Sequence, residues 1–275
     1  MPGADDLLID SRSTLLDALD ALSAHRDAIL LVGAQAIYLY TGHADVPIAT
    51  STKDSDLVID PAMIADDPLL EDAMSVAGFH RNLLGGPGEW LDDNGIPVDL
   101  LVPETLVGTE GRRGARMPPH SRSAARKVLG LEAAVVDHRE MDVASLRAGD
   151  TRSYRVKVAG PAALVVAKLH KLGERRDTPH RLVDKDAHDH YRLVRTVETA
   201  EFVSGFECLL ADERSRTVTD DGLAYLRELF ATPDSLGSRM AARAEEGVNP
   251  DDPEGEAVAA AAAVLSSDLL DALDR

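Results

Sequence analysis

The segment 96–102, IPVDLLV, is composed for burial and is broken at its centre by Asp99. Its apolar run has the length of a strand. A lone carboxylate inside such a strand costs several kcal/mol unless it is paired or bound to a cation, so any fold for this chain must bring a partner to Asp99. Candidate partners lie upstream. Residues 31–60, LVGAQAIYLYTGHADVPIATSTKDSDLVID, read as a strand end, a turn at Gly33, a short helix over 35–40, a polar loop, and a second strand carrying Asp54, Asp56 and Asp60. Side chains at i and i+2 share a strand face, which points Asp54 and Asp56 together while Leu57 and Ile59 face the core. If the Asp99 strand lies beside this one, three carboxylates converge and repel. Mg²⁺, a hard ion that takes oxygen ligands and phosphate, relieves them. The plainer alternative places Asp54, Asp56 and Asp60 around a turn on the solvent face of an edge strand. Against it stands Gly33, which ends one strand and opens a helix, offering backbone N–H groups to a phosphate just upstream of the acids.

Composition narrows the remaining choices. With 275 residues, 44% of them apolar, the chain can bury one large core or two modest ones, and two domains of roughly 100–200 residues are expected. Cys208 is the only cysteine, which removes intramolecular disulfides and cysteine-rich zinc sites. No apolar run is long enough to span a bilayer and the N-terminus MPGADDLLID is acidic, so a soluble, cytoplasmic protein without a membrane partner is expected. The net charge of −19 disfavours nonspecific binding to nucleic acid. One segment, GRRGARMPPHSRSAARK at 111–127, reverses this locally with Arg112, Arg113, Arg116, Arg122, Arg126 and Lys127 and no acid. Such a run is either a solvated loop or a cradle for phosphates, with His120 as a possible further phosphate contact.

Hydrophobic periodicity organises the rest. Leu15, Leu16, Leu19 and Leu22 mark an amphipathic helix over 13–25, AILLVG a buried strand, and 68–77 a helix. GEWLDDNGIPVDLLVP reads as a hairpin turning at Asn94-Gly95. AAVVD and SYRVKVAG read as two further β pieces, and from Pro161 almost everything is helical. The boundary is expected near residue 160.

On the helix over 161–175, Lys168, Lys171 and Arg175 form a basic stripe beside the apolar one. In KDAHDHYRL, Asp186 and Asp189 fall one turn apart on one face, an arrangement that also suits the dipole at a helix N-terminus. His188 and His190 lie too far around a helix from each other to share a metal.

The ordered set of a glycine turn, a helix, a D-x-D strand and a third acid in a later strand resembles the polymerase-β-like nucleotidyltransferase superfamily. Within it, LVGAQAIYLYTG, TKDSDLVID, VDLLVP, AKLHKLGER and KDAHDHYRL resemble the AbiEii/MenT-like nucleotidyltransferase toxins, over about residues 28–195. The turn here is Gly33-Ala34, without the hydroxyl often found at its second position, and GHADVPIAT has the character of an inserted loop. The resemblance implies an α/β (α+β) nucleotidyltransferase fold with a mixed sheet, followed by a helical C-terminal domain. Residues 1–160 form the catalytic domain in this reading, and 161–275 the helical domain contributing to the active-site cleft. The implied reaction is Mg²⁺-dependent transfer of a nucleoside monophosphate from an NTP to a hydroxyl, with release of pyrophosphate. Asp54, Asp56 and Asp99 are then the metal ligands, with Asp99 also helping to activate the nucleophile. The Gly33-Ala34 turn, Lys168 and Lys171 hold the nucleotide. Asp186, the first acid of its motif, either orients the acceptor hydroxyl or pairs with the lysine; whether it or Asp189 is the functional acid stays open. The implied acceptor is RNA, the 3′ end of tRNA, reached through the 111–127 loop, and the implied role is that of a toxin neutralised by an antitoxin protein. The alternatives are transfer to a small cationic molecule such as an antibiotic, and a catalytically silent binding module on the same fold.

Overall fold

A computed structural model describes residues 4–42, 54–108, 113–245, 249 and 252–275. Most of the inserted loop GHADVPIAT, and Arg112 of the basic segment, lie outside these residues. Two compact units divide the chain. One gathers the described residues up to Ala36 and from Asp54 to Ala159; the other gathers those from Ile37 to Gly42 and from Gly160 onward.

The first unit is a mixed sheet with short helices. Its elements are α1 (Ala4–Ala21), β1 (Ile29–Val32), the start of α2 (Gly33–Thr41), β2 (Ser55–Ile59), α3 (Leu70–Val76), β3 (His80–Arg81), β4 (Glu89–Leu91), β5 (Pro97–Pro103), α4 (Glu104–Val107), β6 (Arg126–Val128), β7 (His138–Ala144) and β8 (Ser153–Ala159). The strand order is β3-β4-β5-β2-β1-β8-β7, with β6 also on β5. β2 is antiparallel to β1 and parallel to β5, whereas β1 is parallel to β8. Leu15, Leu16, Leu19 and Leu22 are all buried, and α1 packs on β2 and β5. That burial holds the two central strands in register and so sets the acids they carry.

Along one edge of β5, β4 pairs with its first half and β6 with its second. Gly88 lies where one gives way to the other. It has φ +80°, and a Cβ there would lie 2.4 Å from the Leu100 carbonyl oxygen and 2.7 Å from the Arg126 nitrogen, so the crossing requires glycine. The hairpin closes at Asn94-Gly95 as its sequence requires, with Gly95 at φ +75°.

Two expectations are corrected. AAVVD is not a strand: Leu131–Val135 is a 3₁₀ turn, entered through Gly130 at φ +89°. It is held by Glu132, whose buried carboxylate accepts bonds from the Thr105 N–H and hydroxyl and from the Gly130 N–H. The strand lies just beyond it, in β7, which pairs with β8 over seven residues. Only Val143 of β7 is buried, so this sheet edge has no apolar alternation to announce it. The basic segment also ends earlier than expected, because Arg126 and Lys127 belong to β6.

The second unit is helical. After the end of α2 it comprises α5 (Pro161–Gly173), α6 (Asp184–Thr196), α7 (Thr199–Ala211), α8 (Arg216–Leu229), α9 (Leu236–Ala244) and α10 (Pro253–Leu273). Pro161 starts α5 at a position where its missing N–H costs nothing. α5 packs on α6, α7 and α8, while α6 packs on α9 and α10. Among the described residues no helix is long and apolar enough to cross a membrane.

Gly33 couples the sheet to α2. Its φ is +68°, and a Cβ would stand 2.1 Å from Asp56 Oδ2. Gly33→Ala is therefore expected to lower the unfolding free energy by about 1–3 kcal/mol, measured by denaturant titration, because the backbone and the Asp56 carboxylate cannot both stay in place. An unchanged midpoint would show that the turn is not constrained in this way.

Candidate active site

The strand registers lay four side chains in a row across the sheet. Val32 of β1 is opposite Asp56 of β2, Asp56 is opposite Asp99 of β5, and Asp99 is opposite Glu89 of β4. Asp56 and Asp99 are thus neighbours on one face of adjacent parallel strands. Asp54 precedes β2 and is exposed. Asp60 is at the far end of β2, where its Oδ1 accepts the Ala62 N–H in a turn, and it takes no part in the row.

This crowding of acids is visible in their ionisation. The Asp99 carboxyl is pushed up to about 7, first by burial and then by the charge of Asp56, with Asp54 and Glu89 adding to it and Arg126 opposing. Arg126 on β6 is the opposing cation, its Nη2 lying 2.6 Å from Asp99 Oδ2. Among the described residues no three or more His, Cys, Asp or Glu side chains form a ready metal cluster. What the sheet provides is a pair of oxygen donors on adjacent strands. That donor set fits Mg²⁺, which is commonly held by one or two carboxylates and completes its shell with water and substrate phosphates. Beside the pair, α2 begins at Gly33, so its first N–H groups adjoin the Asp56 carboxylate. Ala34 follows and is buried.

Sequence reading did not single out Glu89, and it placed Arg126 in the basic segment rather than beside Asp99. Glu89 was legible in principle, since the Asn94-Gly95 turn sets the hairpin register that puts it opposite Asp99. Its carboxylate is also fixed by Asn82, whose Nδ2 donates at 2.5 Å. Arg126 has no local signal because it meets Asp99 through a parallel strand contact.

The second unit holds its own ionic cluster. Lys168 on α5 is buried, with Nζ 3.0 Å from Asp186 Oδ1 and 2.7 Å from Asp189 Oδ2 on α6. Lys171, one turn on, reaches Asp186 Oδ1 at 2.9 Å while remaining partly exposed. Burial alone would depress the Lys168 ammonium, but attraction from Asp189 and Asp186 outweighs it and holds the group above the ordinary lysine range. Burial likewise pushes Asp186 up, and Lys168 and Lys171 overcome it and hold the carboxyl below the ordinary aspartate range. Of the two roles open to Asp186, the structure displays pairing with the lysine, and Asp189 shares it. His188 and His190 diverge as expected, to Glu245 at 2.6 Å and Ser266 at 3.0 Å. Burial lowers His190 to about 3.

His120 is not a phosphate contact. It is buried, its Nδ1 accepts the Leu70 N–H at 3.2 Å and its Nε2 bonds the Ala65 carbonyl at 2.9 Å, so both ring nitrogens are spent on backbone. Lys127 is also withdrawn from solvent, donating to the Gly108 carbonyl at 3.0 Å. Arg113, Arg116 and Arg122 remain exposed.

A family model described as nucleotidyltransferase matches residues 11–206, a span that includes both clusters. The chain belongs to this family and is a nucleotidyltransferase. Comparison with curated proteins and with solved structures gives no match.

The Lys168 cluster generates a stability prediction. Because Asp186 is held low, its contribution is complete above the ordinary aspartate value of 3.8 and is lost as pH falls through the folded value. Lys168→Met leaves Asp189 buried without its cation and is expected to cost about 3–5 kcal/mol at neutral pH. Adding Asp186→Asn and Asp189→Asn should recover much of the loss. Denaturant unfolding of the single and triple variants checks this, and equal midpoints for Lys168→Met and wild type would refute it.

Proposed function

We propose that this nucleotidyltransferase transfers a nucleoside monophosphate from an NTP to a hydroxyl at the 3′ end of an RNA, with tRNA as the acceptor, in a Mg²⁺-dependent reaction. The observation that carries the reading is the side-by-side placement of Asp56 and Asp99 beside the Gly33 helix start. A divalent cation held by Asp56 and Asp99, with Asp54 beside them, would neutralise the triphosphate and the charge that develops on the leaving pyrophosphate. Asp99, beside Asp56, would also help to activate the acceptor hydroxyl. The N–H groups of the Gly33-Ala34 turn bind phosphate oxygens. In the helical unit Lys171, half at the surface, is the cation of its cluster that a phosphate can approach, while Lys168 orders the two acids around it.

Support for RNA comes from the basic segment. The Arg113 carbonyl accepts the Lys127 N–H at 2.8 Å, and the Ala115 N–H donates to the Ala125 carbonyl at 3.0 Å. The exposed Arg113 and Arg116 are therefore anchored to the strand that delivers Arg126 to Asp99. A phosphodiester backbone laid along Arg113, Arg116 and Arg122 would be led toward the acid pair. The toxin role, with a separately encoded antitoxin as partner, follows from the AbiEii/MenT resemblance in LVGAQAIYLYTG, TKDSDLVID and KDAHDHYRL.

Incubation with each labelled NTP, Mg²⁺ and total RNA tests the reaction. Wild type should label tRNA, Asp56→Asn should lose activity by orders of magnitude while folding normally, and omission of Mg²⁺ should have the same effect. Labelling unaffected by either change would refute the metal reading. A second measurement addresses the acceptor. Changing Arg113, Arg116 and Arg122 to Glu should abolish RNA binding, whereas single neutral replacements should flatten the slope of log K against log salt by roughly 0.7–0.9 per lost phosphate contact. A small cationic acceptor predicts unchanged or faster turnover in the triple variant.

A further inference from the structure

Arg126 has a chemical problem that the reaction just proposed does not use. Its guanidinium is bound to Asp99, one of the two carboxylates assigned to the cation. A divalent ion arriving on this carboxylate competes with the guanidinium for its negative charge and for the space at Oδ2, so binding of the ion favours release of the arginine. The side chain is built to leave. Among the described residues it makes one charged contact, 2.6 Å from Nη2 to Asp99 Oδ2, and a quarter of it is exposed. Its Nε is buried and has no hydrogen-bond partner among the described residues. A buried donor left without a partner is costly, which marks this as a position the guanidinium holds for want of a better acceptor.

The backbone around it leaves room. Gly86 faces the guanidinium with no side chain, and even a Cβ there would stand 3.9 Å from Nη1. The strand itself is fixed, since Gly88 packs directly on the Arg126 nitrogen. Movement is thus confined to the side chain. Its neighbour does not compete for the role, because Lys127 is buried and already donates to the Gly108 carbonyl.

We propose that Arg126 is a nucleotide-positioning residue that serves as the counter-ion of Asp99 in the empty enzyme and transfers to the triphosphate of the incoming NTP when the cation takes Asp99. The inference rests on the reading that Asp56 and Asp99 hold the cation. Arginine suits the exchange: its planar fork accepts a carboxylate or a phosphate with the same geometry and never loses its charge. In the empty state it lowers the repulsion between Asp99 and Asp56. In the loaded state it contacts phosphate oxygens, where a charge-assisted bond outweighs the one given up. Metal alone competes with it and offers no new partner, whereas metal with nucleotide supplies one. The cation and the NTP therefore bind with positive coupling through this one side chain.

Arg126→Gln separates the two halves of the exchange. Binding of Mn²⁺ alone, followed by the electron paramagnetic resonance of the free ion, should tighten at least about threefold because its competitor is gone. Binding of non-hydrolysable ATP, CTP, GTP and UTP analogues with Mg²⁺, by calorimetry, should weaken about tenfold or more for whichever analogue wild type accepts. Arg126→Lys should restore much of the nucleotide affinity by keeping the charge. If Arg126→Gln does not fold, Arg126→Met, which keeps the aliphatic stem, carries the same pair of measurements. A structural role predicts that both affinities fall together or that neither moves, and either result overturns the proposal. Failure of the underlying reading looks different: Mn²⁺ binding would then be unaffected by Asp56→Asn and Asp99→Asn in an otherwise wild-type chain.

Discussion

The repulsion between Asp56 and Asp99 is the constraint around which the first unit is arranged. Parallel pairing of β2 and β5 fixes their strands about 4.7–4.9 Å apart, and the sheet does not let the two carboxylates separate. The surroundings adjust to that fixed distance. Gly33 gives up its side chain because Asp56 Oδ2 occupies the space. Gly88 lets β6 replace β4 along β5 and so brings Arg126 to Asp99. Even so, burial and the charge of Asp56 push the Asp99 carboxyl up to about 7, with Arg126 only partly opposing them. Adjacent carboxylates held by a rigid sheet are a donor set that suits a divalent cation.

The helical unit resolves the same problem in the opposite way. Asp186 and Asp189 are buried more deeply than Asp99, yet Lys168 is buried with them and Lys171 closes one side. Here the ion pairs are complete within the unit, and Asp186 is held in its charged form. Buried pairs of this kind contribute little net stability over an apolar core of the same shape but are expensive to break. They fix the facing surfaces of α5 and α6 in one arrangement. The two acidic clusters therefore differ in setting: Asp186 and Asp189 are buried around Lys168, whereas Asp56 and Asp99 stand side by side on adjacent strands with Arg126 on Asp99.

The overall charge of −19 is consistent with this division of labour. A uniformly acidic surface repels nucleic acid, so the proposed RNA acceptor would have to be guided by a local patch. In the first unit the exposed arginines of the segment before β6 supply such a patch, and β6 ties them to the acid pair.

Much of the chain could be read from residues alone. The buried helix α1, the hairpin with its Asn94-Gly95 turn, the aspartates of β2 and β5 and the start of the helical half at Pro161 all follow from local patterns, because apolar spacing, turn glycines and a carboxylate in an apolar strand are properties of a few consecutive residues. Where the signal was local but ambiguous, tertiary contacts decided. AAVVD has the composition of a strand, but the hydrogen bonds of Glu132 to Thr105 and Gly130 make it a turn. β7 has no apolar alternation because it lies at the sheet edge, and the pairing with β8 alone makes it a strand. His120 looked available in a basic loop and is instead spent on the backbone of a distant segment. The sequence by itself determined which residue types could hold a metal, since a single cysteine leaves that task to oxygen donors and imidazoles. Which of them meet was decided by the fold. The parallel pairing that sets Asp56 beside Asp99, and the strand crossing that sets Arg126 on Asp99, join residues far apart in the chain, and hydrogen-bond register between distant strands leaves no mark on either segment alone.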